Sequence, residues 1–157
     1  MIEMEKLVNL LIDRGKIISS MESCTGGCFA NEITNIPGSS NVFKFGAVTY
    51  SNEFKVKMEV DENTIEKYSV YSMEVAREMS KKISDFTNSD YGIGITGKIN
   101  CVDKFNMCGE DNIVYVSIYE RDRDKYYTLS IETIDGSREE NKKMIVKNIL
   151  MVLLTVI

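Results

Sequence analysis

The sequence predicts an α/β fold in which helices cover both faces of a mixed β-sheet. Three observations carry that expectation. Segments of helical and strand period alternate along the first half of the chain, two β-rich segments flank a charged turn near residue 120, and a capped helix closes the sequence. A length of 157 residues suits a single domain, residues 1–157, and neither a repeat nor a linker interrupts it. Hydrophobic residues at 43% and charged residues at 27% are ordinary globular usage, so one buried core is expected.

The elements follow in order. Leu7, Leu10 and Leu11 give a helical period over residues 2–14, and Gly15 stands where a left-handed cap would end it. Lys16 to Ser20 reads as a short buried strand. Glu22 to Gly27 is a tight turn, and a helix opens at Cys28. Pro37-Gly38-Ser39-Ser40 marks another turn. Phe43 to Ser51 favours a strand, and residues 52–60 fit a short helix or an irregular link. Asp61 or Asn63 can cap a helix around residues 64–68. Ser72 caps a longer one to Phe86, with Ala76, Met79, Ile83 and Phe86 on one apolar face. Tyr91 to Thr96 is a buried strand, followed by a polar loop over residues 97–111 that is long enough to suggest function. Ile113 to Tyr119 and Tyr126 to Ile131 pair as a hairpin. Ser137-Arg138-Glu139-Glu140 is a capping box, and the helix behind it should bury Met144, Ile145, Ile149, Val152, Leu153 and Val156.

Composition removes several function classes. The formal net charge is -5, with 24 acidic against 19 basic residues and no basic stripe, which disfavours nucleic acid as a partner. The N-terminus lacks the apolar core of a signal peptide, and the apolar stretch 149–157 is too short to span a bilayer. A cytoplasmic protein with no membrane partner is therefore expected. Cys24, Cys28, Cys101 and Cys108 do not have zinc-knuckle spacing, so neither a metal nor any other cofactor is expected, and the thiols should be reduced. Histidine is absent altogether, which excludes Ser-His-Asp and Cys-His machinery. Acid-base chemistry must come from Lys, Tyr, Asp, Glu or Cys.

Ser23, Thr25, Gly26 and Gly27 lie at a strand-to-helix turn, where backbone N–H groups and the helix dipole favour an anion; a plain capping turn uses the same residue types. Ser39 and Ser40 form a second hydroxyl pair, which also fits a cap. Tyr50 and Lys55 can bring a phenol and an amine to one point if the chain turns between them, or can stand as a half-buried tyrosine beside a solvated lysine.

Five segments, read together, add to these observations. They are Met21-Glu22-Ser23-Cys24-Thr25-Gly26-Gly27, Pro37-Gly38-Ser39-Ser40, the run from Gly46 through Thr49-Tyr50-Ser51-Asn52-Glu53-Phe54 to Lys55, the run from Ser72 to Met79, and Gly94-Ile95-Thr96-Gly97. In order and spacing they resemble the CinA C-terminal domain family over about residues 5 to 97. The resemblance implies a three-layer α/β/α domain that pairs as a homodimer or higher homo-oligomer. It implies amide hydrolysis on a small-molecule mononucleotide, with nicotinamide mononucleotide converted to nicotinic acid mononucleotide and ammonia at a serine-lysine site. Carried over by position, Ser23 is the first choice of nucleophile and Ser40 the competing hydroxyl. Lys55 is the base, and Tyr50 relays a proton or orients the amine. Thr25, Gly26 and Gly27 offer N–H groups to phosphate or oxyanion, and Ser39, Thr96 and Gly97 line the substrate.

One departure qualifies this. Members of the family continue past Thr-Gly with a Gly-Pro-Gly-Gly type of loop, whereas here Lys98-Ile99-Asn100-Cys101-Val102-Asp103 follows, and Gly109 to Asn112 rebuilds part of the edge. A second reading, a catalytically inactive or re-specialised nucleotide-binding or dimeric interaction module, stands on that loop.

Overall fold

The computed structural model describes residues 1–99 and 112–157. Its elements in chain order are α1 (Ile2–Arg14), β1 (Ile18–Glu22), α2 (Cys28–Thr34), a 3-10 turn (Ser39–Asn41), β2 (Phe43–Val48), α3 (Asn52–Lys57), α4 (Glu62–Tyr68), α5 (Met73–Thr87), β3 (Tyr91–Gly97), β4 (Ile113–Glu120), β5 (Lys125–Glu132) and α6 (Arg138–Val156). Among the described residues they form one five-stranded sheet in the order β2-β1-β3-β4-β5. β1 runs parallel to β2 and β3, and β3-β4-β5 is antiparallel, so the sheet is mixed.

Strand alternation sorts the core into two layers. Ile93, Ile95, Val114, Val116 and Ile118 pack with Leu7, Leu11, Phe29, Ile149 and Leu153, which puts α1, α2 and α6 on one face. Met21 packs on the other face with Val75, Met79 and Ile83 of α5. The helix lies close there because β3 offers it glycine: a Cβ on Gly94 would stand 2.3 Å from the Ala76 carbonyl oxygen. The expected α/β fold with helices on both faces of a mixed sheet is therefore the observed one.

Several boundaries differ from the expectation for local reasons. β1 starts at Ile18 and reaches Glu22, because Lys16 still donates its N–H to Leu11 at the end of α1 (2.9 Å) and Ile17 donates to the Asp90 carboxylate (2.8 Å). β2 stops at Val48, since Ser51 turns to cap α3 by accepting from the Phe54 N–H. Of the two alternatives for residues 52–60, a short helix is the one observed, so α3, α4 and α5 separate β2 from β3. Phe86 does not join the buried face of α5; it is 62% exposed and tilts against Phe45, with ring centroids 5.4 Å apart. On α6 the buried stripe is Ile145, Val146, Ile149, Leu150 and Leu153, while Met144, Val152 and Val156 pack at its margin. The expected loop over 97–111 lies, from residue 100 on, outside the described residues, as do Cys101 and Cys108.

Candidate functional site

β1 ends at Glu22, and the turn behind it holds Gly26 and Gly27 at φ of +59° and +94°, a region L side chains avoid. The Glu22 side chain organises that turn. It is 1% exposed and accepts from the Thr25 hydroxyl (2.7 Å) and from the N–H groups of Phe29 (2.9 Å) and Ala30 (3.0 Å). Gly27, the N-cap of α2, has no side chain to offer, so the carboxylate supplies the cap from the preceding strand and complements the helix dipole. The Gly26 N–H is held by the Ser23 carbonyl at 2.9 Å. The N–H groups of Thr25 and Gly27 have no partner among the described residues.

Lys55 approaches this turn from α3. Its side chain is buried at 2% exposure, and its Nζ donates to the Thr49 carbonyl oxygen at 2.7 Å and to Ser23 Oγ at 3.0 Å. Burial disfavours the charged amine and lowers its pKa from 10.5 to about 8, against a smaller opposing pull from Cys24. Burial also pushes the Cys24 thiol up to about 12 and the half-buried Cys28 thiol to about 11, so both stay protonated near neutrality. An amine that is uncharged in an appreciable fraction of molecules, at hydrogen-bond distance from a hydroxyl, can take that hydroxyl's proton.

Backbone bonds fix the frame. Ser23 donates its N–H to Ile95 (2.9 Å), and Thr49 donates to Glu22 (2.8 Å). Glu22 is in register with Val48 on one side and Ile95 on the other. The next row across the sheet is therefore Thr49, Ser23 and Thr96, three hydroxyl residues at the C-terminal ends of three parallel strands.

A model of the CinA C-terminal domain matches residues 2–157. The chain belongs to the CinA C-terminal domain family. A putative competence-damage inducible protein of Clostridium kluyveri is 41% identical over 126 residues, covering 74% of this chain and 28% of the relative. One of Clostridium novyi is 46% identical over 94 residues, covering 59% and 23%. The chain thus spans about a quarter of the length of these curated relatives. Among solved structures, a competence/damage inducible protein from Agrobacterium tumefaciens superposes with a TM-score of 0.84 at 25% identity, over 98% of this chain and 94% of that one. A CinA superfamily protein from Escherichia coli superposes at 0.89 and 24%, over 99% and 88%. It is similar in fold.

Of the residues read from the sequence of this CinA-family chain, Ser23 and Lys55 meet directly, and Thr96 lies one strand from Ser23. The Thr96 hydroxyl donates to the Val70 carbonyl (2.7 Å), which ties down the start of α5. Thr25 presents only its backbone to the turn, its hydroxyl being engaged by Glu22. Gly97 adopts φ +154° with the Ile113 carbonyl 2.5 Å from where a Cβ would sit, so β4 itself requires the glycine. Ser39 is buried in the 3-10 turn, and Ser40 beside it is exposed. Tyr50 is 67% exposed, and neither it nor Ser40 hydrogen-bonds Lys55 among the described residues.

Three neighbours were not singled out from the sequence. Glu22 carried a signal, an acidic residue at the end of a buried strand just before Gly-Gly. Lys142, whose Nζ stands 3.4 Å from an ideal Cβ on Gly26, and Arg138, which donates to the Ile99 carbonyl at 2.6 Å, come from α6, far along the chain. No local pattern announces them. Among the described residues no group of three or more His, Cys, Asp or Glu is placed to hold a metal, and no helix is long and apolar enough to cross a membrane.

Proposed function

We propose that this chain is a serine-lysine amidohydrolase that converts nicotinamide mononucleotide to nicotinic acid mononucleotide and ammonia. The observation that carries the reading is the buried Lys55 amine at 3.0 Å from Ser23 Oγ, in a chain without histidine. Family membership and the motif resemblance support the substrate class. In this reading residues 1–157 act as one cytoplasmic domain, assembled as a homodimer or higher homo-oligomer.

The chemistry follows from the placement. Neutral Lys55 takes the Ser23 proton as Oγ bonds to the carboxamide carbon, and unpartnered N–H groups of the Cys24 to Gly27 turn receive the developing oxyanion. The Lys55 ammonium then protonates the departing nitrogen, the C–N bond breaks and ammonia leaves an acyl ester on Ser23. A water molecule, deprotonated by Lys55, adds to the ester carbonyl. Breaking the C–Oγ bond returns the proton to Ser23 and releases the carboxylate.

Incubation of the purified protein with nicotinamide mononucleotide and measurement of ammonia tests this. Release is expected from the unmodified protein and should fall on the order of a thousandfold in Lys55→Ala and Ser23→Ala. Tight binding without ammonia would instead favour the non-catalytic binding module.

A further inference from the structure

Thr49 contains a buried polar atom that the chemistry above does not use. The residue is 2% exposed, and its hydroxyl has no hydrogen-bond partner among the described residues. Such an atom is costly to bury unless another state of the molecule gives it a partner. Its position is specific. The Thr49 carbonyl holds the Lys55 amine at 2.7 Å, and its side chain is next to Ser23 in the row of three hydroxyl residues.

The amine's own valence shows what is missing. A neutral lysine has two N–H groups and a lone pair, which suit the Thr49 carbonyl and a Ser23 hydroxyl that donates. The ammonium has three N–H groups and, among the described residues, finds two acceptors, the Thr49 carbonyl oxygen and Ser23 Oγ. We propose that Thr49 is a positioning residue whose hydroxyl becomes the third acceptor of Lys55 once that amine is protonated. Rotation about the Thr49 Cα–Cβ bond moves the hydroxyl between staggered positions without moving the backbone that holds the amine. The base then gains a partner for its charged form only after it has taken the proton. The charged groups of the described residues around the amine are otherwise engaged. Among the described residues Cys24, in the β1-α2 turn, is the titratable group whose charge bears on the amine, and its thiol stays protonated. The Glu22 carboxylate is committed to Thr25, Phe29 and Ala30, and Arg138 of α6 to the Ile99 carbonyl.

This inference rests on Lys55 as the base of the proposed hydrolase, yet it is tested by a readout other than turnover. Titration of the Lys55 amine by NMR of lysine-labelled protein is compared among the unmodified chain, Thr49→Val and Thr49→Ser. Valine keeps the shape and removes the acceptor, so the midpoint should fall by about one pH unit, while serine should restore it. In the unmodified protein the Thr49 methyl resonance should titrate with the midpoint of Lys55, a measurement that needs no variant to fold. An unchanged midpoint in Thr49→Val, an equal fall in Thr49→Ser, or a Thr49 methyl indifferent to pH would each overturn the proposal. Absence of ammonia release with the expected titration intact would instead remove the hydrolase reading and leave the Thr49 contact standing.

Discussion

Along the seam between α5 and the sheet, each buried hydroxyl has a partner. Ser80 Oγ reaches Ser117 Oγ at 2.9 Å, Ser89 Oγ lies 2.6 Å from both Ser19 Oγ and Thr87 Oγ1, and Ser84 Oγ donates to the Ser89 carbonyl at 2.6 Å. Among the described residues two buried hydroxyls have none: Ser20, in the middle of β1 on the face toward α2, and Thr49, just past the end of β2, whose carbonyl holds an amine kept partly uncharged. The seam uses hydroxyls as small, satisfied spacers that let a helix lie against glycine. The candidate site holds one orphaned hydroxyl, Thr49, in reserve at a cost to stability, an asymmetry with the seam that residue type alone does not announce.

The largest expected effect tests the closeness of the seam. In Gly94→Ala the new methyl meets the Ala76 carbonyl at 2.3 Å and the Ser80 nitrogen at 2.6 Å, both helix backbone that cannot swing aside. Destabilisation of about 4 kcal/mol is expected in urea unfolding. A loss under about 1 kcal/mol would mean that α5 stands off the sheet.

Lys55→Met should do the opposite for stability. The native amine has a pKa near 8 against 10.5 unfolded, so below about pH 8 both states carry the charge and the folded state bears the full burial penalty. Between 8 and 10.5 the folded amine is neutral while the unfolded one is still protonated, so native stability rises with pH until the penalty is gone. The methionine variant should therefore exceed the parent by up to roughly 3 kcal/mol at pH 7, a gain that disappears as pH approaches 10.5, with ammonia release lost. A gain that does not vary with pH would place its origin in packing rather than in charge.

Local signals in the sequence account for much of this architecture. Gly15, Ser72 and the Ser137 capping box each mark a helix end through contacts within a few residues, and those ends stand where the residues place them. Phe86 shows the limit: its spacing fits the buried face of α5, but it lies against Phe45 of the edge strand β2, where it stays 62% exposed. Ser23 and Lys55 were legible as a pair through motif order, since β2 and the cap at Ser51 deliver α3 to the end of β1. Glu22 and Thr49 stood inside quoted motifs, yet their roles depend on side-chain burial and on register between strands, which neither spacing nor composition encodes.

A smaller loss is expected in the seam from Ser80→Ala, which leaves Ser117 Oγ buried without its partner and should cost about 1 to 2 kcal/mol. Ser80→Ala combined with Ser117→Ala removes both ends of the bond, so the double variant should be destabilised by less than the sum of the singles. Additive losses would show that the two hydroxyls act independently.

The smallest effect most directly challenges the contrast, because it makes the same chemical change with the opposite sign. Ser20 is as buried as Ser80, but its Oγ has no partner among the described residues and lies 3.0 Å from where a Cβ would stand on Gly46. Ser20→Ala removes an orphaned polar atom at the price of a void the size of one oxygen, so unfolding should show a gain of about 1 kcal/mol. Ser80→Ala and Ser20→Ala would then move in opposite directions, with burial, residue type and substitution held constant. If Ser20→Ala were instead as costly as Ser80→Ala, the Ser20 hydroxyl would have a partner in solution. The middle of β1 would then be as fully satisfied as the seam, and Thr49 would be left as the one orphaned buried hydroxyl among the described residues.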